Sequence, residues 1–408
     1  MAAKERIYYG WVVVFVSFLS VTMFGVVSSY GTFVGPLESH LGAYRTAISG
    51  VYTIELFFYA VFARLMGWLS DRFGPRTALW LSGLLLGGGM IACHSVTSLW
   101  QLYFFFGVIT GIGHSAIFVV PTTTAAKWFT KRRGLAVGIT ACGLGFGLLL
   151  LPPIGAYLIR VYSWQTAFIF LGTLAFTVNL LVGSVIGRKP EEYGAGPPPA
   201  GRNPAPAPTP PAQGHPLLEI LRARAFWVVY FTAVFCYGAE QMLVVHLVPY
   251  CATIGITTAQ ASLGLSCLGM GTIAGRFVMG WLSDRIGGVP TLIMSCALQS
   301  VTTFGLLAIS GPWVLYPVML AVGFGYGGWA VMAVVVLGEF PGVKNLGKSV
   351  GLYTTNGMLA GLMGPLLAGA IFDATHSYFF AIIVAGVTCA IPCLPAASLF
   401  GRRPAPAG

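Results

Sequence analysis

The chain has 408 residues, of which 56% are hydrophobic and only 8% are charged. A soluble domain carries about 25% charged residues, and a soluble protein cannot hide so much apolar surface from water. The composition excludes a disordered, collagen-like, coiled-coil or disulfide-stapled protein. It predicts a protein embedded in a lipid bilayer. Because the apolar runs are long and do not alternate, they predict spanning helices and not a β-barrel.

Twelve apolar runs follow one another along the chain, and each is long enough for a helical crossing, which needs about 20 residues. The predicted spans are 10–36, 46–70, 77–97, 100–126, 134–158, 164–187, 225–250, 258–283, 289–310, 313–339, 347–372 and 377–400. The segment 1–6 contains charged side chains and no clear cleavage site follows it. We therefore expect a cytosolic tail and not a removed signal peptide.

A proline-rich segment separates the sixth span from the seventh. It covers residues 188–224 and holds ten of the 25 prolines, a density that favours an extended, hydrated linker over a packed domain. The predicted domains are an N-terminal six-helix bundle over 1–187, a cytosolic linker over 188–224 and a C-terminal six-helix bundle over 225–408.

The basic residues fall mostly on one side of the predicted bundle. With the N-terminus in the cytosol, 18 of the 22 Lys and Arg residues lie in cytosolic segments, whereas Arg45 and Arg160 lie outside. The positive-inside rule therefore predicts both termini in the cytosol. The net charge of +11 is a topology signal, and we predict no nucleic-acid partner. Short external loops without an N-x-S/T sequence favour a bacterial inner membrane.

The two halves of the chain contain an internal repeat. The hexapeptide Gly67–Arg72 recurs unchanged as Gly280–Arg285, 213 residues later, and the same offset relates Pro152 to Pro365. A register that holds into the fifth span of each half indicates two parallel six-span halves. Such repeats predict a transporter with its binding site near the bilayer midplane, between the halves.

The loop after the second span resembles the signature of the major facilitator superfamily, with glycine, aspartate and basic residues at fixed spacing. The matching residues are Gly67, Asp71, Arg72, Gly74 and Arg76, and a partial copy in the second half has Gly280, Asp284, Arg285 and Gly288. The resemblance implies an all-α membrane protein with twelve transmembrane helices in two pseudo-symmetric six-helix bundles. Because these residues lie in cytosolic loops where ion pairs can form, we expect them, Asp284 and Arg285 among them, to bias the two orientations of a carrier, with simple topology signalling as the alternative.

Within that superfamily the chain resembles monocarboxylate porters and their bacterial relatives, which include oxalate–formate exchangers. The segments that carry the resemblance are Tyr9–Trp11, Trp128–Gly138, Trp164–Phe168 and Gly364–Asp373. The resemblance implies proton-coupled transport of a small monocarboxylate such as lactate or pyruvate, by alternating access. It places Arg276 at the family's substrate-binding arginine. Thr272 replaces the acidic companion of that arginine, and Ser28 stands near the place of the animal family's first-span lysine.

Four charged residues lie at mid-span in the predicted helices, where a charge is costly and usually faces water or a partner: Glu55, Arg64, Glu240 and Arg276. Arg276 is about 12 Å from the cytosolic end at 1.5 Å per residue, too deep for complete snorkelling. We predict that it binds the substrate carboxylate, with an ion pair to Glu240 or Glu55 as the alternative. Arg64 is shallower and is expected to snorkel or to contact the Asp71 loop.

Glu55 and Glu240 lie near the midplane, where an unpaired carboxyl prefers to hold a proton. Each is a candidate for proton coupling, with Glu240 favoured, and the alternative is a static hydrogen bond or an ion pair with Arg276. His114 and His246 are rival proton relays, and their alternative role is packing. The further substrate-binding candidates are Thr272, Tyr326, Tyr30, Tyr237 and Asn356. For the tyrosines and the asparagine, packing is the alternative.

The sequence contains no Walker loop, HExxH or GxSxG motif, so it predicts no enzyme, no cofactor and no metal. The predicted function is secondary active transport of small monocarboxylates. The predicted partners are the anion, protons and the lipid bilayer, with no obligate protein partner. Two alternatives stay open: an organic-anion exchanger that moves no protons, and a non-transporting sensor or an anion channel.

Overall fold

The computed structural model describes residues 9–129, 133–186, 221–339, 352–353 and 355–399. Within these ranges twelve helices are long and apolar enough to cross a membrane, and the same ranges hold no β-strand. We number the helices α1 to α12: Tyr9–Leu41, Arg45–Phe73, Pro75–Ser95, Leu99–Trp128, Leu135–Val161, Trp164–Ile186, Arg224–Thr253, Thr258–Ile286, Gly288–Ala308, Pro312–Leu337, Asn356–Thr375 and Phe379–Ala397. The predicted all-α fold with twelve spans is confirmed.

The helices begin and end at local backbone signals as much as at changes in hydropathy. Helix α1 continues to Leu41, past its predicted end at 36, because Pro36 is accommodated within it and Gly42, with a φ of 60°, terminates it. Helix α1 is interrupted at Met23 and Ser29, and α5 is interrupted at Cys142. The interruption in α5 lies beside the candidate site.

The internal repeat is visible in the backbone. Gly74 follows α2 with a φ of 91° and a ψ of 157°, and Gly287 follows α8 with a φ of 93° and a ψ of 161°. A residue with a side chain rarely adopts this conformation, so both positions favour glycine. The second copy of the loop motif therefore uses Gly287. The prediction of Gly288 was wrong by one residue, since the repeat offset of 213 residues relates Gly74 to Gly287.

The two halves meet along three helix pairs that approach closely at small residues. Helix α2 packs on α11, where Gly361 lies against Leu56, and α5 packs on α8, where Gly145 and Gly269 face one another. Helix α1 packs on α7 at Gly31, which lies against backbone carbonyls of α7. The predicted domain boundaries stay a prediction, because residues 187–220 lie outside the described ranges.

Candidate functional site

A chain of hydrogen bonds joins the two halves near their middle. Tyr52 of α2 donates its hydroxyl hydrogen to Gln241 Oε1 of α7 over 2.8 Å, and Gln241 Nε2 donates to Glu240 Oε2 over 2.6 Å. All three side chains are buried. Glu240 therefore lies where the halves meet, in a position to respond to a ligand bound between them.

Aromatic side chains line the same region. Tyr237 is one turn before Glu240 on α7, and its ring stacks on Tyr326 of α10 at a centroid distance of 6.5 Å. Tyr326 also contacts the ring of Trp329 at 5.6 Å. The indole Nε1 of Trp329 is buried and has no hydrogen-bond partner among the described residues. Apolar ring faces with an unused donor suit a small organic anion.

Arg276 of α8 reaches across to the other half at the interruption in α5. Its Nη1 donates to the Ala141 carbonyl over 2.6 Å, while its buried Nε has no partner among the described residues. The first contact fixes the guanidinium and leaves its Nε edge free, and such an edge can hold a carboxylate by two parallel hydrogen bonds. The Arg276 charge also acts on Glu240, the candidate for proton coupling, and on Tyr326.

Glu55 and His114, which were predicted as separate candidates, form one pair. His114 Nδ1 and Glu55 Oε1 are 2.6 Å apart, and both side chains are fully buried. Glu55 Oε2 and His114 Nε2 have no partner among the residues that the structure describes. The alternative of an ion pair between Arg276 and either carboxyl is absent from the described residues, where Glu55 pairs with His114 and Glu240 bonds to Gln241.

Three predicted binding residues use their polar groups elsewhere. The Thr272 hydroxyl donates to a backbone carbonyl one turn back on α8 over 2.8 Å, a common bond for threonine within a helix. The Tyr30 hydroxyl donates to the Ile48 carbonyl over 2.7 Å, and the Asn356 amide donates to a carbonyl three residues earlier. In this conformation all three have structural contacts, so we leave them out of the site proposed below.

The sequence analysis missed Tyr52, Gln241 and Trp329. Tyr52 lies three residues before Glu55, a spacing that places both side chains near one face of α2. Gln241 adjoins Glu240, and a polar pair at mid-span was a usable signal.

The chain matches a known transporter family over most of its length. The model of the Major Facilitator Superfamily matches residues 10–365 and 253–408. The chain belongs to the major facilitator superfamily. It is therefore an integral, multi-pass membrane protein and a transporter, not an enzyme.

The relatives and solved structures to which this chain is similar are also transporters. Monocarboxylate transporter 13 of Bos taurus is 27% identical over 382 residues, which cover 93% of this chain and 86% of that protein. Monocarboxylate transporter 11 of Homo sapiens is 26% identical over 395 residues, which cover 93% and 80%. A crystal structure of a bacterial homologue of the human lysosomal transporter Spinster, inward-facing and unoccupied, has a TM-score of 0.74 at 15% identity over 100% of both chains. That structure shares the fold, and the resemblance to monocarboxylate porters is confirmed.

A cluster of Arg45, Thr46, Asp373, Tyr378 and His246 joins the two halves at one end of the helix bundle, and we call it the clamp. The Asp373 carboxylate at the end of α11 accepts hydrogen bonds from the N–H groups of Arg45 and Thr46 over 3.2 and 2.8 Å. These are the first N–H groups of α2, which lack partners within their own helix. A carboxylate there also faces the positive end of the helix dipole. Asp373 thus caps a helix of the other half.

Arg45 and His246 extend the clamp. The Arg45 guanidinium binds both carboxyl oxygens of Glu38, at 2.5 and 2.7 Å, and donates to the Tyr378 hydroxyl over 3.1 Å. His246 Nδ1 lies 3.0 Å from that hydroxyl, and His246 Nε2 lies 2.9 Å from the Pro365 carbonyl. Because a carbonyl only accepts, Nε2 carries the hydrogen, and Nδ1 of the neutral ring accepts from Tyr378. Both nitrogens of His246 are therefore occupied in the clamp.

Asp373→Asn is expected to loosen the clamp, because it removes the charge from the α2 cap while keeping its size. A loss of about 1–2 kcal/mol shifts the equilibrium roughly five- to thirtyfold towards the state open at this end. The readout is the alkylation rate, with a membrane-impermeant maleimide, of a cysteine introduced at Ser49, which is buried against Gly369 of the other half. The eight native cysteines are first replaced.

The matched control is Ser377→Ala in the same loop. The Ser377 hydroxyl accepts from the Phe379 N–H of its own half, so its loss should leave the alkylation rate unchanged. An unchanged rate in Asp373→Asn would contradict the role of the clamp.

The loop motif lies at the opposite end from the clamp. Asp71 Oδ1 accepts from Lys127 Nζ over 2.8 Å, a contact between exposed side chains of one half. The guanidinium of Arg72 lies 5.5 Å from the Trp68 ring centroid, and that of Arg285 lies 3.9 Å from the Trp281 ring centroid. The repeat therefore extends to side-chain contacts. The gating role of the motif residues and of Asp284 stays a prediction.

Proposed function

We propose that the protein is a proton-coupled symporter of small monocarboxylates of the lactate and pyruvate type. The observation that carries the proposal is the free Nε edge of Arg276 at the junction of the halves. A guanidinium anchored on one side can hold a carboxylate on the other. The stacked rings of Tyr237 and Tyr326 offer an apolar surface for a short carbon chain. The names of the relatives, monocarboxylate transporters, support the same substrate class.

The charges of Arg276 and Glu240 account for coupling to one proton. In the empty carrier the cation and the carboxylate cancel. The substrate anion alone leaves one negative charge at mid-membrane, and a proton alone leaves one positive charge. An uncompensated charge at that depth costs about 2.5–3.5 kcal/mol or more. The empty carrier and the carrier loaded with both ligands are neutral, so these two states reorient most readily.

The distribution of Lys and Arg supports an orientation with both termini in the cytosol. Short external loops without an N-x-S/T sequence support a bacterial inner membrane. In the proposed arrangement two bundles, over 1–187 and 225–408, are joined by a proline-rich linker over 188–224. The clamp then faces the outside, and the conformation described above is closed to the outside.

Uptake into proteoliposomes tests the proposed function. A panel of lactate, pyruvate, formate and oxalate is measured with and without an inward proton gradient. We expect saturable uptake of lactate or pyruvate that the gradient stimulates, and countertransport from preloaded vesicles.

Three other results would contradict the proposal. Exchange that ignores the gradient indicates an organic-anion exchanger. Flux without countertransport indicates a channel. No flux of any acid in correctly inserted protein indicates a sensor.

A further inference from the structure

We propose that Glu55 and His114 form a single proton-binding site in the N-terminal half, separate from Glu240. The observation behind it is a fully buried contact of 2.6 Å between carboxyl and imidazole, with one unpartnered polar atom on each residue. The role of this site in transport rests on the proposed function. Proton binding by the pair does not require a substrate.

The chemistry of the pair leaves one position for a proton. A hydrogen lies between His114 Nδ1 and Glu55 Oε1, because their separation is that of a strong hydrogen bond. With that hydrogen on Nδ1, the pair is a carboxylate and a neutral imidazole, with a net charge of one negative unit. Nε2 then carries a free lone pair. A hydronium ion that reaches the pair transfers its proton to Nε2: the N–H bond forms, the O–H bond of the hydronium breaks, a water molecule leaves, and the pair becomes neutral overall.

Two aromatic rings and a carboxylate surround the imidazole of His114. The rings of Phe24 and Tyr59 lie against the imidazole at centroid distances of 4.4 and 4.7 Å, and aromatic rings attract a cation. The Glu55 carboxylate compensates the charge directly. A neutral total charge is favoured within the membrane, so the two residues bind one proton as a unit.

Other titratable groups face the pair from its own helix. Tyr52 and Tyr59 of α2 interact electrostatically with Glu55. The charged side chains of α2, α4 and the helices packed on them lie mostly towards the helix ends, and in the described ranges they include Glu38, Arg45, Arg64, Asp71, Arg76, Lys127 and Asp373. Helix α7 contacts α2 through Gln241 and Tyr52, and it carries Glu240, a further acidic group at mid-span. Neutralisation of the pair therefore depends on a proton.

Tyr52 links the pair to the junction of the halves. It lies three residues before Glu55 on α2, and its hydroxyl donates to Gln241, which bonds to Glu240. The pair is thus one helical turn away from the hydrogen bonds that join the two halves. We expect loss of the proton to leave a net negative charge near this junction and to slow reorientation of the carrier.

The test is a pH titration of purified, substrate-free protein in nanodiscs, followed by infrared difference spectroscopy of the carboxyl and imidazole bands. Wild type should show a proton-binding step that is lost in Glu55→Gln and equally lost in His114→Gln. The step should persist in the controls Glu240→Gln and His246→Gln. Survival of the step in either pair variant, or separate steps for the two residues, would overturn the proposal.

A double variant distinguishes loss of the proton site from misfolding of the single variants. Glu55→Gln/His114→Gln places two amides at the pair, and these can hydrogen-bond to each other. In a Glu240→Gln background, substrate exchange at equal pH on both sides should slow as pH rises, and the double change should abolish this dependence. A pH-independent exchange before the double change, or a dependence that survives it, counts against the pair. If the protein transports no acid but the infrared step is intact, the proposed function is refuted while the proposal of a proton-binding pair stands.

Discussion

Arg276→Lys is expected to lose most substrate uptake while the protein still folds and inserts. An ammonium is a point charge, whereas the guanidinium holds the Ala141 carbonyl with Nη1 and keeps its Nε edge free for a carboxylate. Loss of one charge-assisted contact costs about 1.5–3 kcal/mol, roughly tenfold to over a hundredfold in affinity. Initial uptake rates over a range of substrate concentrations, at matched protein levels, measure the effect.

Arg64→Lys is the matched control. Arg64 also lies within a spanning helix, but its side chain is exposed, whereas Arg276 is partly buried at the junction of the halves. Uptake by Arg64→Lys should stay close to wild type. If both lysine variants lose uptake to the same extent, the loss comes from replacing a guanidinium within the membrane and not from a lost substrate contact.

Glu240→Gln is expected to abolish accumulation driven by a proton gradient while keeping exchange of substrate for substrate. With a neutral amide at this position, the positive charge of Arg276 and the negative charge of the bound substrate cancel, so the substrate-loaded carrier can reorient. The empty carrier keeps one positive charge in the membrane, so its return is slow. Gradient-driven uptake and countertransport, measured on the same vesicles, separate the two modes.

Glu55→Gln, measured in parallel, identifies which carboxyl carries the coupled proton. Loss of accumulation in Glu55→Gln alone would move the coupling to the Glu55–His114 pair. Normal accumulation in both Glu240→Gln and Glu55→Gln would reject a carboxyl as the coupling group. Coupling through a histidine, or anion exchange without protons, would then replace it.

The fold was predictable because its determinants are local or repeated in the sequence. Each span shows itself as an apolar run, and the repeat of Gly67–Arg72 as Gly280–Arg285 fixes the relation of the halves. Helix ends were less predictable, since they depend on single backbone conformations. Helix α1 continues past its predicted end at 36 and terminates only at Gly42, which has a φ of 60°.

The site was predictable only as a set of candidates. The depth of Arg276 and Glu240 in their spans follows from counting residues, but no local pattern shows that Glu55 meets His114, 59 residues away. The contact of Asp373 with the first turn of α2 joins residues 328 apart in sequence, and it depends on how the two halves pack. Thr272 is the opposite case: it was predicted to bind substrate, but its hydroxyl donates to a backbone carbonyl of its own helix.

Equilibrium binding of a monocarboxylate to the purified protein tests the central claim, that Arg276 holds the substrate. Isothermal titration calorimetry with lactate and pyruvate is carried out on wild type, Arg276→Ala and the control Arg64→Ala. We predict saturable binding by wild type and the control, and an affinity at least about tenfold weaker in Arg276→Ala. Binding by Arg276→Ala at close to the wild-type affinity would contradict the assignment.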